Sequence, residues 1–400
     1  MRVGILTQYY PPETGAPQER LSELAARLTE LGHEVIVVTA LPNYPQGRVY
    51  PGYRRLVVRE NRGEVAVLRT WIWPTKSTAP IARVASHLSF GASSLVVGAS
   101  RLPRLDVLVT ESPPLTLGAT GFALSRLKRA RWVFNVSDLW PETAVVLGAL
   151  RDGRLKRLAY GLEAFCYRHA WRVSGQSQEI VESIRRRFPN VQTIPFFNGV
   201  NTERFSPDHR SESVRRELGA DGAKIAMYAG LHGVSQGLEQ LLAAAERLQD
   251  DDLHLVLVGD GSEKAALVDD AHRRGLTNLT FLEPRPKKEM PALLASADIA
   301  LVSLKTRIPG AVPSKLYEAM ATGLPVVLVA DGEPADILRS TKAGIVVEPG
   351  DIDGLAGALR RLARSDEERA RFGAAGRSAA IERFERGPFC DRFIEAIERG

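Results

Sequence analysis

Cysteine is nearly missing: Cys166 and Cys390 are the only two in 400 residues. They lie far apart, without metal-ligand or Cys-x-x-Cys spacing, so neither a disulfide framework nor a cysteine zinc site is expected. The seven histidines show no paired metal spacing. Long apolar runs are lacking as well. The run over residues 3–6 is far shorter than a signal-peptide core, which leads to the expectation of a cytosolic protein. A Walker lysine loop, a Gly-x-Ser-x-Gly elbow and the Gly-x-Gly-x-x-Gly dinucleotide fingerprint are all absent. No zinc-finger, RNA-recognition or helix-turn-helix signature appears, so no nucleic acid is expected as a partner.

What is present suits a soluble globular chain of about two domains: 44% apolar and 25% charged residues over 400 positions. The net charge of +6 is unevenly spread. Residues 1–190 carry 26 Lys/Arg against 15 Asp/Glu, and residues 191–400 carry 27 against 32. A basic front half points to an anionic surface or substrate. Residues 84–100 contain no formal charge and are flanked by Lys76, Arg83, Arg101 and Arg104. At seventeen residues, with serines and glycines inside, this segment does not read as a transmembrane helix. A helix packed on a sheet and an interfacial helix touching anionic lipid both fit it.

Short β-branched runs alternate with amphipathic segments, the pattern of an α/β protein with parallel strands. In the first half strands are predicted over 2–8, 34–39, 106–110, 131–136 and 172–175, with a hairpin of 56–59 and 66–70. A helix over 17–31 is predicted to bury Leu21, Leu24, Leu28 and Leu31 on one face. The second half restarts the pattern with a strand at 224–229, a glycine-bearing loop and a helix at 238–248. Further strands follow at 253–258, 279–282, 299–302, 326–329 and 344–347. Two doubly wound domains are therefore expected, 1–195 and 208–385, parted by the Pro-, Asn- and Gly-rich stretch 191–207. Ligands of such sheets sit beyond the carboxyl ends of the strands, so the chemistry is expected in a cleft between the domains.

Several stretches carry candidate chemistry. The loop QYYPPETGAPQER leads from the first strand into the first helix, and its Gly15 would let backbone amides approach an anion. The loop from Gly230 to Gly237, with Gly233 at its centre, repeats that arrangement. In PGAVPSKLYEAMATGLPVV (309–327), Pro313 suits a helix start and puts Lys315 in the first turn, where the helix dipole disfavours a cation by about 0.3–1 kcal/mol. A bound diphosphate would offset that, and a solvated lysine would tolerate it. Glu318 can accept from a vicinal diol or lie on the surface. Arg285 can stack on a base or point to solvent. In SDLWPE (137–142), Asp138 and Glu142 are candidate acids or bases, Trp140 a platform for a sugar ring, and Asp138 equally a helix cap. The run 250–252 of three aspartates reads as a solvated turn.

With these residues quoted, the chain resembles the retaining GT-B glycosyltransferases of family 4, particularly the bacterial branch that builds surface and exopolysaccharides. The carriers are RVGILTQYYPPETGAPQERL at 2–21, SDLWPET at 137–143, IPFFNGVNTERFSP at 194–207, VGDGSEK at 258–264 and PSKLYEAMATGLPVV at 313–327. The resemblance implies two facing Rossmann-like domains, the acceptor on the first and a nucleotide sugar on the second. It also implies a last helix, about 388–398, that packs back on the first. Glu318 corresponds to the second glutamate of a Glu-x7-Glu motif that holds the ribose. The backbone of Ala311, Val312, Ser314, Lys315 and Leu316 matches the donor diphosphate and sugar loop. Gly15 and Gly233 join the donor set, and Arg285 falls at the base-binding turn. Asp138 matches an acceptor-side aspartate, with Glu13, Trp140 and Glu142 beside it. Three positions depart from the family pattern: Gly310 replaces the first glutamate, Leu231 and Gln236 replace an Arg and a Lys, and Ser137 stands where a histidine often stands.

The implied reaction is transfer of a sugar from a nucleoside diphosphate to a hydroxyl acceptor, with retention and without metal or other cofactor. Lys315 and Asp138 are the candidate catalytic residues. The acceptor is expected to be lipid-linked, at the inner face of an anionic membrane, or a small soluble molecule. A nucleotide-sugar epimerase and a non-catalytic binding protein on the same frame are the rival classes.

Overall fold

A computed structural model describes residues 1–399 apart from 78, 151, 220 and 221. The alternation seen in the sequence condenses into two compact units, Met1–Asn198 joined by the chain's end from Arg386, and Gly199–Glu385.

In the first unit the strands are β1 (Arg2–Leu6), β2 (Glu34–Ala40), β3 (Val57–Arg62), β4 (Val65–Thr70), β5 (Val107–Ser112), β6 (Arg131–Val136), β7 (Arg172–Gly175) and β8 (Thr193–Pro195). They lie side by side in the order β3-β4-β2-β1-β5-β6-β7-β8. All neighbours are parallel except β3 and β4, the hairpin, whose outer strand runs antiparallel. Helices α1 (Ala16–Glu30), α2 (Pro80–Arg101), α3 (Leu117–Lys128), α4 (Glu142–Val146), α5 (Arg154–His169) and α6 (Gln178–Arg187) fill the connections. The side-chain period of two sends alternate residues to opposite faces. Val3 and Ile5 of β1 pack with Leu21, Leu24 and Leu28 of α1 on one face, while Leu6 packs with Phe90 and Leu124 on the other. Leu31, expected to continue the α1 stripe, is 47% exposed. The helix stops at Glu30, and the chain reverses through Gly32, whose φ of 81° suits glycine.

The second unit repeats the theme with β9 (Lys224–Ala229), β10 (Leu253–Val258), β11 (Leu279–Leu282), β12 (Ile299–Ser303), β13 (Val326–Val329) and β14 (Gly344–Val347). They form an all-parallel sheet in the order β11-β10-β9-β12-β13-β14. Its helices are α7 (Glu212–Glu217), α8 (Glu239–Glu246), α9 (Lys264–Arg273), α10 (Met290–Ala295), α11 (Ser314–Ala321), α12 (Glu333–Thr341), α13 (Ile352–Arg364) and α14 (Asp366–Arg383). One core packs α11 and α14 on the sheet and the other packs α8 and α13. Both units are thus Rossmann-like α/β layers.

The last helix, α15 (Arg386–Glu398), lies in the first unit, where Cys390, Phe393, Ile394 and Ile397 enter the core beside α1 and Phe389 is buried against Phe197. Two details differ from expectation. The turn-rich stretch 191–207 contains β8, a strand in its own right. Asp251, expected in a solvated turn, is held by Arg360 and Arg364 of α13 at 2.9 and 3.0 Å.

Candidate functional site

Parallel strands deliver their carboxyl ends to one edge, so the residues just beyond them converge whatever their spacing in sequence. In the first unit this edge is polar and deeply buried. Arg20 of α1 has no exposed surface. Its guanidinium donates to Gln176 Oε1 at 2.9 Å and to Glu111 Oε1 at 3.1 Å, and also to Asn198 Oδ1 and Ser137 Oγ. Glu111 in turn accepts from Asn135 and Ser137. Asn198 is fixed from behind, its carbonyl accepting from Arg386 Nε at 2.7 Å. Burial pushes the Glu111 carboxyl up, opposed chiefly by Arg20.

Asp138 follows β6 at the rim of this network. Burial first, and then the negative charge of Glu111, pushes its carboxyl up to about 7, with Arg20 pulling the other way. It is not a helix cap, since α4 begins from Pro141 without a side-chain bond. Trp140 is half-buried against the core of β6 and α5, and Glu142 meets Arg187 at 4.0 Å. Glu13 is buried, and its carboxylate accepts from the amides of Asn43 and Tyr44 at 2.8 Å and of Tyr10 at 3.3 Å. It ties the first loop together. Gly15 stands at the N-cap of α1.

In the second unit three loops lock at the same edge. His232 donates its amide to Asp260 O at 2.8 Å, and Gly230 donates to Val258 O at 2.8 Å. A methyl group on Gly259 would overlap the Gly230 carbonyl, one on Gly261 the His232 carbonyl, and one on Gly230 the Lys315 side chain. These glycines are needed for close approach. Gly233 caps the short turn that follows.

Lys315 lies in the first turn of α11, its ammonium 5.6 Å from the centre of the Tyr228 ring. Among the described residues no carboxylate pairs with it. Burial lowers its pKa, opposed by Glu318 one turn further along the same helix. The first-turn amides of any α-helix lack intrahelical partners, so this end of α11 presents donors and a desolvated cation together. Val312 and Leu316 are buried in the core, so their side chains cannot meet a ligand, and the Leu316 amide already donates to Pro313 O at 3.0 Å. Arg285, beyond β11, forms exposed pairs with Glu217 at 3.4 Å and Glu289 at 4.0 Å. Gly310 has a φ of 72°, a left-handed conformation that a glutamate would adopt only under strain.

The sequence does not single out Arg20, Glu111 and His232 as site residues. His232 is fully buried between the rings of Tyr228 and Phe281, and burial, then Lys264, lowers its pKa to about 4. The only signal was its place in a glycine-rich loop. Among the described residues no group of three His, Cys, Asp or Glu side chains is arranged to hold a metal ion.

Comparison with known proteins adds the family. Residues 210–379 match the glycosyl transferases group 1 model, and residues 15–199 match the glycosyl transferase 4-like domain. The chain is 30% identical over 373 residues to the putative colanic acid biosynthesis glycosyl transferase WcaI of Escherichia coli, covering 90% of this chain and 92% of that one. It is 26% identical to a GDP-mannose-dependent alpha-mannosyltransferase of Mycolicibacterium smegmatis, over 96% and 93% of the two chains. Among solved structures, HepE of Anabaena in complex with UDP-glucose superposes over the whole of both chains with a TM-score of 0.74 at 18% identity, a likeness of fold. The chain belongs to the GT-B glycosyltransferases of family 4.

Proposed function

We propose that this glycosyltransferase moves a sugar from a nucleoside diphosphate to a hydroxyl acceptor with retention at the anomeric carbon and without a metal ion, in surface polysaccharide or glycolipid assembly. The observation that carries the reading is Lys315, a desolvated ammonium at the head of α11 with no carboxylate partner among the described residues. Departure of the diphosphate places negative charge on the leaving oxygen. The Lys315 ammonium and the amides at the start of α11, fixed before reaction, stabilise that charge without reorganisation. The backbone from Ala311 to Leu316 and Gly233 cradle the diphosphate and sugar, Glu318 accepts from the ribose hydroxyls, and Arg285 leaves its weak surface pairs to stack on the base.

The second unit is assigned the donor and the first unit the acceptor. In the retaining step the C–O bond to the phosphate breaks as the acceptor oxygen forms its bond from the same face. The acceptor proton passes to the departing phosphate oxygen. Asp138 orients the acceptor hydroxyl and need not take its proton, with Trp140 and Glu142 beside it and Glu13 shaping the loop. The name of the Escherichia coli relative supports a polysaccharide product. The names of the others, one using GDP-mannose and one holding UDP-glucose, leave the nucleoside to experiment. A lipid-linked acceptor at the inner face of a membrane fits the basic first half.

The test is a panel of nucleotide sugars assayed for nucleoside diphosphate release with EDTA present. Release and transfer are expected with one donor, and Lys315→Ala and Glu318→Ala should each lose at least about a hundredfold, the scale of one removed oxyanion donor. Wild-type rates in both variants, or an absolute need for a divalent ion, would overturn the reading. An epimerised donor formed without acceptor would favour the rival class.

A further inference from the structure

Arg20 and Glu111 are paired at 3.1 Å with their side chains 0 and 3% exposed. Taking two charges out of water is costly, and an apolar pair of the same volume is often as stable or more so, so stability alone does not account for them. What the pair holds is one residue. Ser137 is buried and gripped at each of its polar atoms. Its amide donates to Ser112 O at 2.7 Å, its carbonyl accepts from Gln176 Nε2, and its hydroxyl donates to Glu111 Oε1 while accepting from Arg20 Nη2. Arg20 also donates to Gln176 at 2.9 Å, which closes the ring of contacts. Groups from α1, from β5 and from beyond β7 thus fix a single peptide.

The residue that shares this peptide is Asp138. It is partly exposed, and no group among the described residues hydrogen-bonds its carboxyl. A rigid buried clamp therefore ends in a carboxyl that the fold itself does not use.

We propose that Arg20 and Glu111 are positioning residues for sugar transfer: their buried pair clamps Ser137 and, through the shared peptide, fixes the place and the charge of the Asp138 carboxyl that orients the acceptor hydroxyl. The proposal rests on the reading of Asp138 given above. Place matters because a displacement of about 1 Å at an orienting group can cost about a hundredfold in rate. Charge matters because an ionised carboxyl is the better partner for a hydroxyl. Burial, then Glu111 from β5, raises the pKa of Asp138, and Arg20 from α1 lowers it, leaving it at about 7. Gln176, beyond β7, is neutral, and Arg386 of α15 acts on Arg20.

Nucleoside diphosphate release by the full chain from UDP-glucose and GDP-mannose is followed with octyl glucoside as the acceptor probe, from about pH 5.5 to about pH 9. In the parent kcat is expected to rise through an inflection at about pH 7. Ser137→Ala keeps both charges and should lose about tenfold in kcat, with the inflection and the donor KM unchanged. Glu111→Gln should move the inflection to about pH 6 or below, because Arg20 then acts on Asp138 unopposed. Arg20→Met/Glu111→Gln leaves no buried charge unpaired, which guards against misfolding, and should bring the inflection back toward about pH 7 with kcat still low. A merely structural pair would change kcat and melting temperature and leave the inflection in place. Calorimetry without substrate gives a second readout: the stability gap between the parent and Asp138→Asn should stop growing at about pH 7, and at lower pH in the Glu111→Gln background. An inflection and a plateau that stay put in Glu111→Gln, or full kcat in Ser137→Ala, would overturn the proposal while the reading of Asp138 stands. Parent rates in Asp138→Asn would overturn that reading and the proposal with it.

Discussion

Arg20 shows how a single residue can organise a surface without being visible in the chain. Its partners Glu111, Ser137, Gln176 and Asn198 lie 91 to 178 positions away, and Arg20 itself sits beside Leu21 in a helix whose other buried residues are mostly apolar. Only the parallel sheet, by bringing strand ends together, makes them neighbours. The rim residue Asp138 reports on this network. Its carboxyl keeps a proton to about pH 7 when folded, and to about pH 4 when unfolded. Between those values the folded state binds more protons, so stability falls as pH rises through the window. Asp138→Asn is therefore expected to melt about 2–4 °C above the parent at about pH 8 and to match it near pH 4, by calorimetry. Loss of transfer in the same variant would show that the parent accepts lower stability in exchange for function. The place of Lys315 and Glu318 on one helix was legible because Pro313 and Gly323 bracket it. His232 was not, because nothing local marks a histidine as buried.

At the scale of elements, the strands and helices with strong periodicity were readable to within a few residues. β8 was hidden because three residues among Pro, Asn and Gly carry no alternation; β7 supplies it with a pairing edge that the sequence cannot display. Helix α2 was ambiguous for the opposite reason. Its uncharged length suited both burial and exposure, and the structure assigns one side to each. Helix α15 is the element on which the first unit most depends from a distance. Phe393 is fully buried and stacks near Phe196 at 4.6 Å between ring centres. Phe393→Ala is expected to cost about 3–5 kcal/mol, since the rigid strands around it collapse only partly into the cavity. A urea titration with a probe in the first unit measures it; a loss below 1 kcal/mol would mean that α15 is only loosely docked.

For the whole molecule the two units differ in how they are threaded. The second is continuous from Gly199 to Glu385 and closes both of its cores within that span. The first borrows its last helix from the chain's end. A fragment of residues 199–385 should therefore fold alone with a cooperative thermal transition, whereas residues 1–198 alone should expose the apolar bed of α15 and aggregate or bind a hydrophobic dye. Equal behaviour of the two fragments would contradict this. Charge is sorted across the first sheet. Helices α2, α3, α5 and α6 carry 11 Lys/Arg against 3 Asp/Glu, and α1 with α15 carry 4 against 6, so the unit has a permanent electric moment across the sheet. Any charged partner approaching within a screening length of about 8–10 Å exerts a torque on that moment and turns the unit before contact. Orientation is then set in solution, and collision need not search for it.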